Sequence, residues 1–345
     1  MEYRKLPHTD IAVSKICLGT MTFGNQNTEA EGHQQMDYAL ENGVNFFDTA
    51  ELYPVPASAP TQGETERILG TWFKKTGHRD KIILASKVAG PGDYTKHIRK
   101  NLSFSKEHID EAVHLSLKRL QTDYIDLYQL HWPERDNNRF GQRGFEHNPE
   151  NLWVENFEEV LDALQAHIKA GNIRHVGLSN ETPWGMMRFL QAADENRPRM
   201  ITIQNPYSLL CRPFEVGNAE ICHYEKVGLL AYSPLAFGVL SGKYIRDTAA
   251  ENARLKLFPR FNRYSSKQST EATRQYMALA DAHGLSLTEM ALAFVNDRPF
   301  VSSNIIGATN IEQLKEKINS ARVTLSTSVL KEIDVIHNTI PDPAV

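Results

Sequence analysis

The sequence predicts an α/β fold, a single (β/α)8 TIM barrel over residues 1–345, and three observations point to it. Short continuous apolar runs bounded by turn residues recur eight times, as strands covered on both faces require. Segments with helical spacing stand between most of them, which favours a parallel sheet. Several runs end in a polar residue before loop-like sequence, and in a barrel those strand ends converge on one mouth. An open doubly wound sheet shares the alternation; eight strand-then-helix units favour closure.

Residues 1–14 precede the first strand and are expected to form a hairpin closing the barrel bottom. The first run is Ile16–Gly19, followed by the helix Glu31–Asn42, which Gly43 should stop. Val44–Asp48 leads into a Pro- and Ala-rich mouth loop at 54–62 and the helix Thr65–Lys75, ended by Gly77. Ile82–Lys87 precedes Lys106–Leu120, with Ser105 placed to cap it. Ile125–Leu130 runs into a long polar and aromatic insert at 132–154, then Phe157–Ala170, stopped by Gly171. His175–Ser179 precedes Pro183–Asp194, where Pro183 suits a first helical turn. Ile201–Gln204 is followed by Glu215–Lys226, and Leu229–Tyr232 by a long stretch at 234–268 that carries Lys243, Arg246, Arg254, Arg260 and Arg263. Ser303–Ile306 and Ile311–Ser320 form the eighth unit, and Leu325–His337 reads as an extra C-terminal helix. Loops as long as these inside a compact domain are usually functional.

Composition narrows the function. Hydrophobic residues make up 41% of the 345 and charged residues 23%, ordinary for an enzyme with a large core. A formal net charge of −4 offers no basic field for nucleic acid or an anionic membrane. No apolar run approaches the roughly 18 residues of a membrane span, and the N-terminus lacks the apolar core of a signal peptide. Cys17, Cys211 and Cys222 have no C-x-x-C spacing, so reduced thiols and a cytoplasmic location are expected. The expected partner is a small molecule; oligomeric state is left open.

Four stretches carry chemistry: F-D-T-A-E-L-Y at 47–53, A-S-K-V at 85–88, L-Y-Q-L-H-W at 127–132 and A-Y-S-P-L-A-F-G at 231–238. Taken singly, Asp48 reads as a cap, Tyr53 as a packed loop aromatic, Lys87 as a solvated lysine and His131 as a structural histidine. Together they follow strands two, three and four, and independent caps have no reason to share one rim. A phenol, with a reference pKa of about 10, is a poor acid at neutral pH. A neighbouring ammonium should lower that value, and a carboxylate can hold the ammonium charged and oriented. Such a group can protonate a carbonyl while hydride arrives from a nicotinamide, with His131 donating to the carbonyl oxygen or orienting it. The aromatic residues Tyr53, Phe23, Trp132 and Phe140 suggest an apolar or aromatic carbonyl compound. Asp48, Glu51 and His131 could instead be recast as metal ligands. No H-x-H pair follows strand one, however, and H-E-x-x-H, P-loop and G-x-S-x-G signatures are absent, so no metal is expected.

The chain resembles the aldo-keto reductase superfamily over nearly its whole length. The motifs that carry the resemblance are L-G-T-M-T-F-G at 18–24, F-D-T-A-E-L-Y, S-K-V, L-H-W-P, G-L-S-N at 177–180, I-Q-N-P-Y-S at 203–208, Y-S-P-L-A-F-G-V-L-S-G-K-Y at 232–244 and I-I-G-A-T at 305–309. Within the family the pattern is similar to bacterial Tas-type reductases and, more distantly, to potassium channel β-subunits. The resemblance implies a (β/α)8 barrel that uses NADPH without a Rossmann domain, with Asp48, Tyr53, Lys87 and His131 as catalytic tetrad and Tyr53 as proton donor. It implies that Thr20, Met21 and Asp48 lie near the nicotinamide. Ser179 and Asn180 would bind its carboxamide beside Gln204, and Tyr232 would stack on the ring. Ser233, Pro234, Leu235 and Gly238, with Ala236 and Phe237 in the same stretch, would wrap the pyrophosphate. Lys243 and Arg254 match positive positions near the ribose phosphate, which favours NADPH over NADH. Gly307, Thr309, Gln313 and Glu316 match adenosine contacts; Lys317 departs from the pattern by replacing an asparagine, which bears on adenine recognition, and a lysine there could instead help hold phosphate. The channel-subunit likeness keeps a second reading open: an NADPH-binding redox-sensing module acting on a partner protein.

Overall fold

The computed structural model describes residues 1–344. A hairpin of β1 (Tyr3–Lys5) and β2 (Ala12–Ser14) opens the chain. Among the described residues eight further strands follow: β3 (Ile16–Gly19), β4 (Phe46–Asp48), β5 (Ile83–Val88), β6 (Ile125–Leu130), β7 (Ile173–Ser179), β8 (Met200–Pro206), β9 (Gly228–Tyr232) and β10 (Val301–Ile306). Each pairs in parallel with the next, and β10 closes on β3, so the sheet is a barrel and not an open doubly wound sheet.

The helices around it are α1 (Glu29–Glu41), α2 (Glu64–Thr76), α3 (Lys106–Leu120), α4 (Phe157–Lys169), α5 (Pro183–Ala192), α6 (Asn218–Glu225), the single turn α7 (Arg254–Leu257), α8 (Lys267–Ala282), α9 (Leu287–Asn296), α10 (Ile311–Asn319) and α11 (Thr327–Thr339). Their ends follow local chemistry. Ser105 accepts from the His108 amide to start α3, Thr182 caps α5 ahead of Pro183, and Gly77 ends α2. α1 begins earlier than its apolar spacing suggests, because Thr28 and Glu31 form a reciprocal capping box. α8 and α9 are additions to the sequence reading. α9 is buried at every position but Glu289, which erases the apolar-polar contrast that marks a surface helix.

Side-chain alternation along the strands gives the barrel its layers. Cys17, Phe46, Ala85, Leu127, Ile201, Leu230 and Ile305 form one buried interior cluster, with Leu6 and Val13 from the hairpin region packed into it. The predicted bottom closure is therefore present. The opposite faces of the same strands, including Leu84, Tyr128, Leu178 and Ile203, pack in the larger core shared with the helices. Two residues beyond the interior cluster, on the same face, come Gly19, Asp48, Lys87, Gln129 and Tyr232. An apolar floor thus ends in a polar layer at the C-terminal mouth.

Candidate active site

Within that polar layer a lysine is enclosed completely. Lys87, 0% exposed, donates from Nζ to Asp48 Oδ2 at 2.7 Å and to the Thr49 carbonyl at 2.7 Å. The Tyr53 hydroxyl lies 3.5 Å from the same ammonium. Asp48, 2% exposed, has its other oxygen held by Gln204 Nε2 at 2.8 Å and Gln129 Nε2 at 3.4 Å. The His131 ring stands edge-on to the Tyr53 ring at 5.6 Å, and its Nδ1 is buried without a hydrogen-bond partner among the described residues. Asp48, Tyr53, Lys87 and His131, drawn from β4, β5 and the loops after β4 and β6, meet at one point.

Burial sets the electrostatics. Burial alone pushes the Lys87 ammonium down, but Asp48 and Tyr53 facing it carry it above the ordinary lysine value, so it stays charged. Burial pushes the Tyr53 phenol up, and Lys87 offsets this only in part. The ammonium does lower the phenol, as expected, but burial, which disfavours the charged phenolate, outweighs it, so the net direction is upward. Burial and the nearby Lys87 charge hold His131 well below the usual histidine range, leaving a neutral imidazole.

Above this cluster opens a cavity of about 800 Å³. Asp48, Tyr53 and His131 line it; Lys87 lies behind them. Of the residues the resemblance assigns to a cofactor, Met21, Ser179, Asn180, Gln204, Tyr232, Ser233, Pro234, Leu235, Phe237, Gly238, Lys243, Arg254, Gly307, Thr309 and Gln313 also line it. Thr20 and Ala236 are fully buried outside the lining, Thr20 donating its hydroxyl to the Asp48 carbonyl at 2.8 Å. Glu316 faces solvent. Asn180 joins the two halves of the rim: its side chain donates to the His131 carbonyl at 2.9 Å and accepts from the Tyr232 hydroxyl at 2.6 Å. Backbone φ is positive at Ser233, Ala236, Phe237 and Gly238, which curls this turn around the cavity edge.

Comparison with known proteins decides the family. The aldo/keto reductase family model matches residues 15–338. The chain belongs to the aldo/keto reductase family. It is 50% identical to "Protein tas" of Escherichia coli (strain K12), with all of both chains covered. It is 39% identical to an aldo-keto reductase of Babesia bovis over 76% of this chain and 98% of that one. It is 32% identical to an uncharacterized oxidoreductase, YrpG, of Bacillus subtilis (strain 168) over 99% and 97%. A general oxidoreductase role follows from membership.

Against this family background, the structure adds residues that the motifs do not single out. Gln129 sits between Asp48 and Gln204, accepting from the latter at 3.2 Å. Its signal was period two: it shares a strand face with Leu127 and His131. Asn137, from the insert after β6, donates to the Asn180 carbonyl at 3.0 Å. Tyr94 and Phe140 flank Trp132, with ring centroids 5.5 Å and 5.8 Å away, and make an aromatic wall at the mouth. Phe23, expected near the substrate, is instead wholly buried in the outer core, where its ring packs against the α1 backbone near Gly32. Glu51 is engaged elsewhere, by Arg99 and by the Ala89 amide. Among the described residues no group of three His, Cys, Asp or Glu side chains is placed to hold a metal ion.

Proposed function

We propose that this protein is an NADPH-dependent reductase of aldehydes or ketones in which Tyr53 donates the proton. The observation that carries the reading is a charged, fully enclosed Lys87 held between Asp48 and the Tyr53 hydroxyl at the floor of a large cavity. The cavity also fits a dinucleotide. Lys243 and Arg254 line it without a carboxylate partner among the described residues, and the positive-φ turn at 233–238 presents backbone at its edge.

When bound, the reduced nicotinamide supplies hydride to the carbonyl carbon. The residues of this chain then handle the charge that appears on oxygen. The Tyr53 O–H bond breaks as its proton passes to that oxygen, giving the alcohol and a phenolate. Lys87 stabilises the phenolate, and Asp48 with the Thr49 carbonyl fixes the lysine in place. His131, uncharged, orients the carbonyl oxygen as a neutral donor. Ser179, Asn180 and Gln204 would hold the nicotinamide end, and Lys243 and Arg254 the phosphates. The wall of Tyr94, Trp132 and Phe140 favours an apolar or aromatic carbonyl compound. Three free, buried thiols suit a reducing, cytoplasmic setting.

Tyr53→Phe tests the assignment. The hydroxyl makes a single long hydrogen bond, so the variant should fold and bind NADPH as wild type does. Turnover of an activated aromatic aldehyde should fall by about 10²- to 10⁴-fold. Wild-type turnover in the variant would refute the donor.

A further inference from the structure

We propose that Lys317 completes, with Lys243 and Arg254, a three-cation clamp for a ribose-bound phosphate monoester, and that it is a determinant of selectivity for NADPH over NADH. The inference rests on the proposed dinucleotide reading and assigns a role to a residue which that reading leaves out.

The three side chains come from separate segments, the stretch after β9, α7 and α10, yet line one cavity. Lys317 Nζ donates to the Gly307 carbonyl at 2.7 Å, which pins the ammonium beside the end of β10. The Lys243 ammonium lies against Gly238, where a Cβ would come within 3.0 Å of it. Burial and the charges of Lys243 and Arg254 push the Lys317 ammonium down to about 8, with Glu316 the one group acting the other way. Burial and Arg254 also push Lys243 down. The cations are therefore close enough to repel one another.

Several other enclosed cations of this protein meet a carboxylate. Arg99 meets Glu51, Arg119 meets Glu66 at 2.7 Å, Arg135 meets Glu181, and Arg212 meets Glu215 at 2.9 Å. Among the described residues no carboxylate comes within 4 Å of Lys243, Arg254 or Lys317; they lie instead against the Tyr244 ring, the Phe237 ring and the Gly307 carbonyl respectively. Gathering three like charges in one groove is unfavourable unless a ligand brings the opposite charge. A phosphate monoester carries close to two negative charges near neutrality and several acceptor oxygens, which suits a cluster of donors better than a neutral hydroxyl does. That is the difference between the two dinucleotides at the ribose.

The test uses the full chain and nucleotide fragments without nicotinamide, so it does not depend on turnover. Calorimetric titration with 2′,5′-ADP and with 5′-AMP compares wild type, Lys317→Gln and Lys317→Arg, with melting temperatures as a check on folding. Loss of one charge-assisted hydrogen bond corresponds to about 10- to 100-fold in affinity. Lys317→Gln should weaken 2′,5′-ADP by that factor and leave 5′-AMP within about twofold, and Lys317→Arg should restore most of the loss. Equal weakening of both fragments, or no weakening of 2′,5′-ADP, would overturn the clamp. If wild type binds neither fragment, the dinucleotide reading falls with it. If the fragments discriminate as expected but no carbonyl compound is reduced, the reductase reading fails and the clamp stands.

Discussion

Replacing Lys87 by Met removes an ammonium from a site where nothing else can neutralise its partner. Asp48 would keep only the amides of Gln204 at 2.8 Å and Gln129 at 3.4 Å, in a position 2% exposed. Breaking a buried ion pair from one side costs about 3–5 kcal/mol, because the remaining charge stays desolvated. An unfolding entropy of about 2.1 cal/mol/K per residue gives roughly 0.7 kcal/mol/K for a chain this long, so Tm should drop by ~4–7 °C. The double variant Lys87→Met with Asp48→Asn removes both charges and should recover at least half of that drop, since a neutral pair needs no counter-charge. Differential scanning calorimetry on wild type, both single variants and the double variant closes the cycle. A Lys87→Met variant within 1 °C of wild type, or a double variant as unstable as the sum of the singles, would refute a charged, mutually dependent pair.

Two further expectations concern pH and the cofactor turn. On the proposed reading Tyr53 must be protonated to donate; since burial holds it above the ordinary phenol value of 10 and holds His131 well below 6.5, kcat at saturating NADPH should stay level from about pH 6.5 to 10 and fall only above that. KM for NADPH should instead begin to rise near pH 8, as Lys317, facing Lys243, Arg254 and Glu316, loses its proton; initial rates across pH separate the two limbs. Gly238→Ala places a methyl 3.0 Å from both Cε and Nζ of Lys243 at a residue with φ of 89°. Steady-state kinetics should show KM for NADPH raised by roughly tenfold, the weight of one displaced charged hydrogen bond, with kcat nearly unchanged.

The barrel was legible because its strands are short, apolar and punctuated, and because Ser105, Gly77 and Pro183 mark helix ends by local rules. α9 was not, since a helix buried on almost every side shows no face. Strand ends drew attention to Asp48, Lys87 and His131, but the direction of an aromatic ring is not a local property: Phe23, one residue from Gly24, turns into the outer core. Asn137 was invisible for another reason. Its partner, Asn180, is 43 residues away, and nothing about an asparagine in a polar insert marks that contact. Gln129 was accessible in principle, two residues before His131 on the same strand face.

The phenol marks the sharpest departure from reasoning on residue types alone, and it changes what Lys87 is for. An ammonium beside a phenol suggests an acid tuned toward neutrality, yet here enclosure holds the phenol above its ordinary value. The lysine also sits closer to other partners, at 2.7 Å from both Asp48 and the Thr49 carbonyl against 3.5 Å from the Tyr53 hydroxyl. On the proposed reading its contribution therefore belongs to the moment when the phenol gives up its proton. Unit charges 3.5 Å apart attract by about 5 kcal/mol at an effective dielectric constant of ~20, and that term exists only once the phenolate forms. An interaction absent from the ground state and present in the transition state accelerates the step without tightening substrate binding. A donor that remains protonated at neutral pH loses no population to the inactive form, and an alkoxide forming on the substrate is basic enough to take its proton. On this account Lys87→Met lowers kcat and kcat/KM together and leaves the dissociation constant for NADPH close to wild type, a pattern that an ammonium acting only through the resting pKa of Tyr53 would not require.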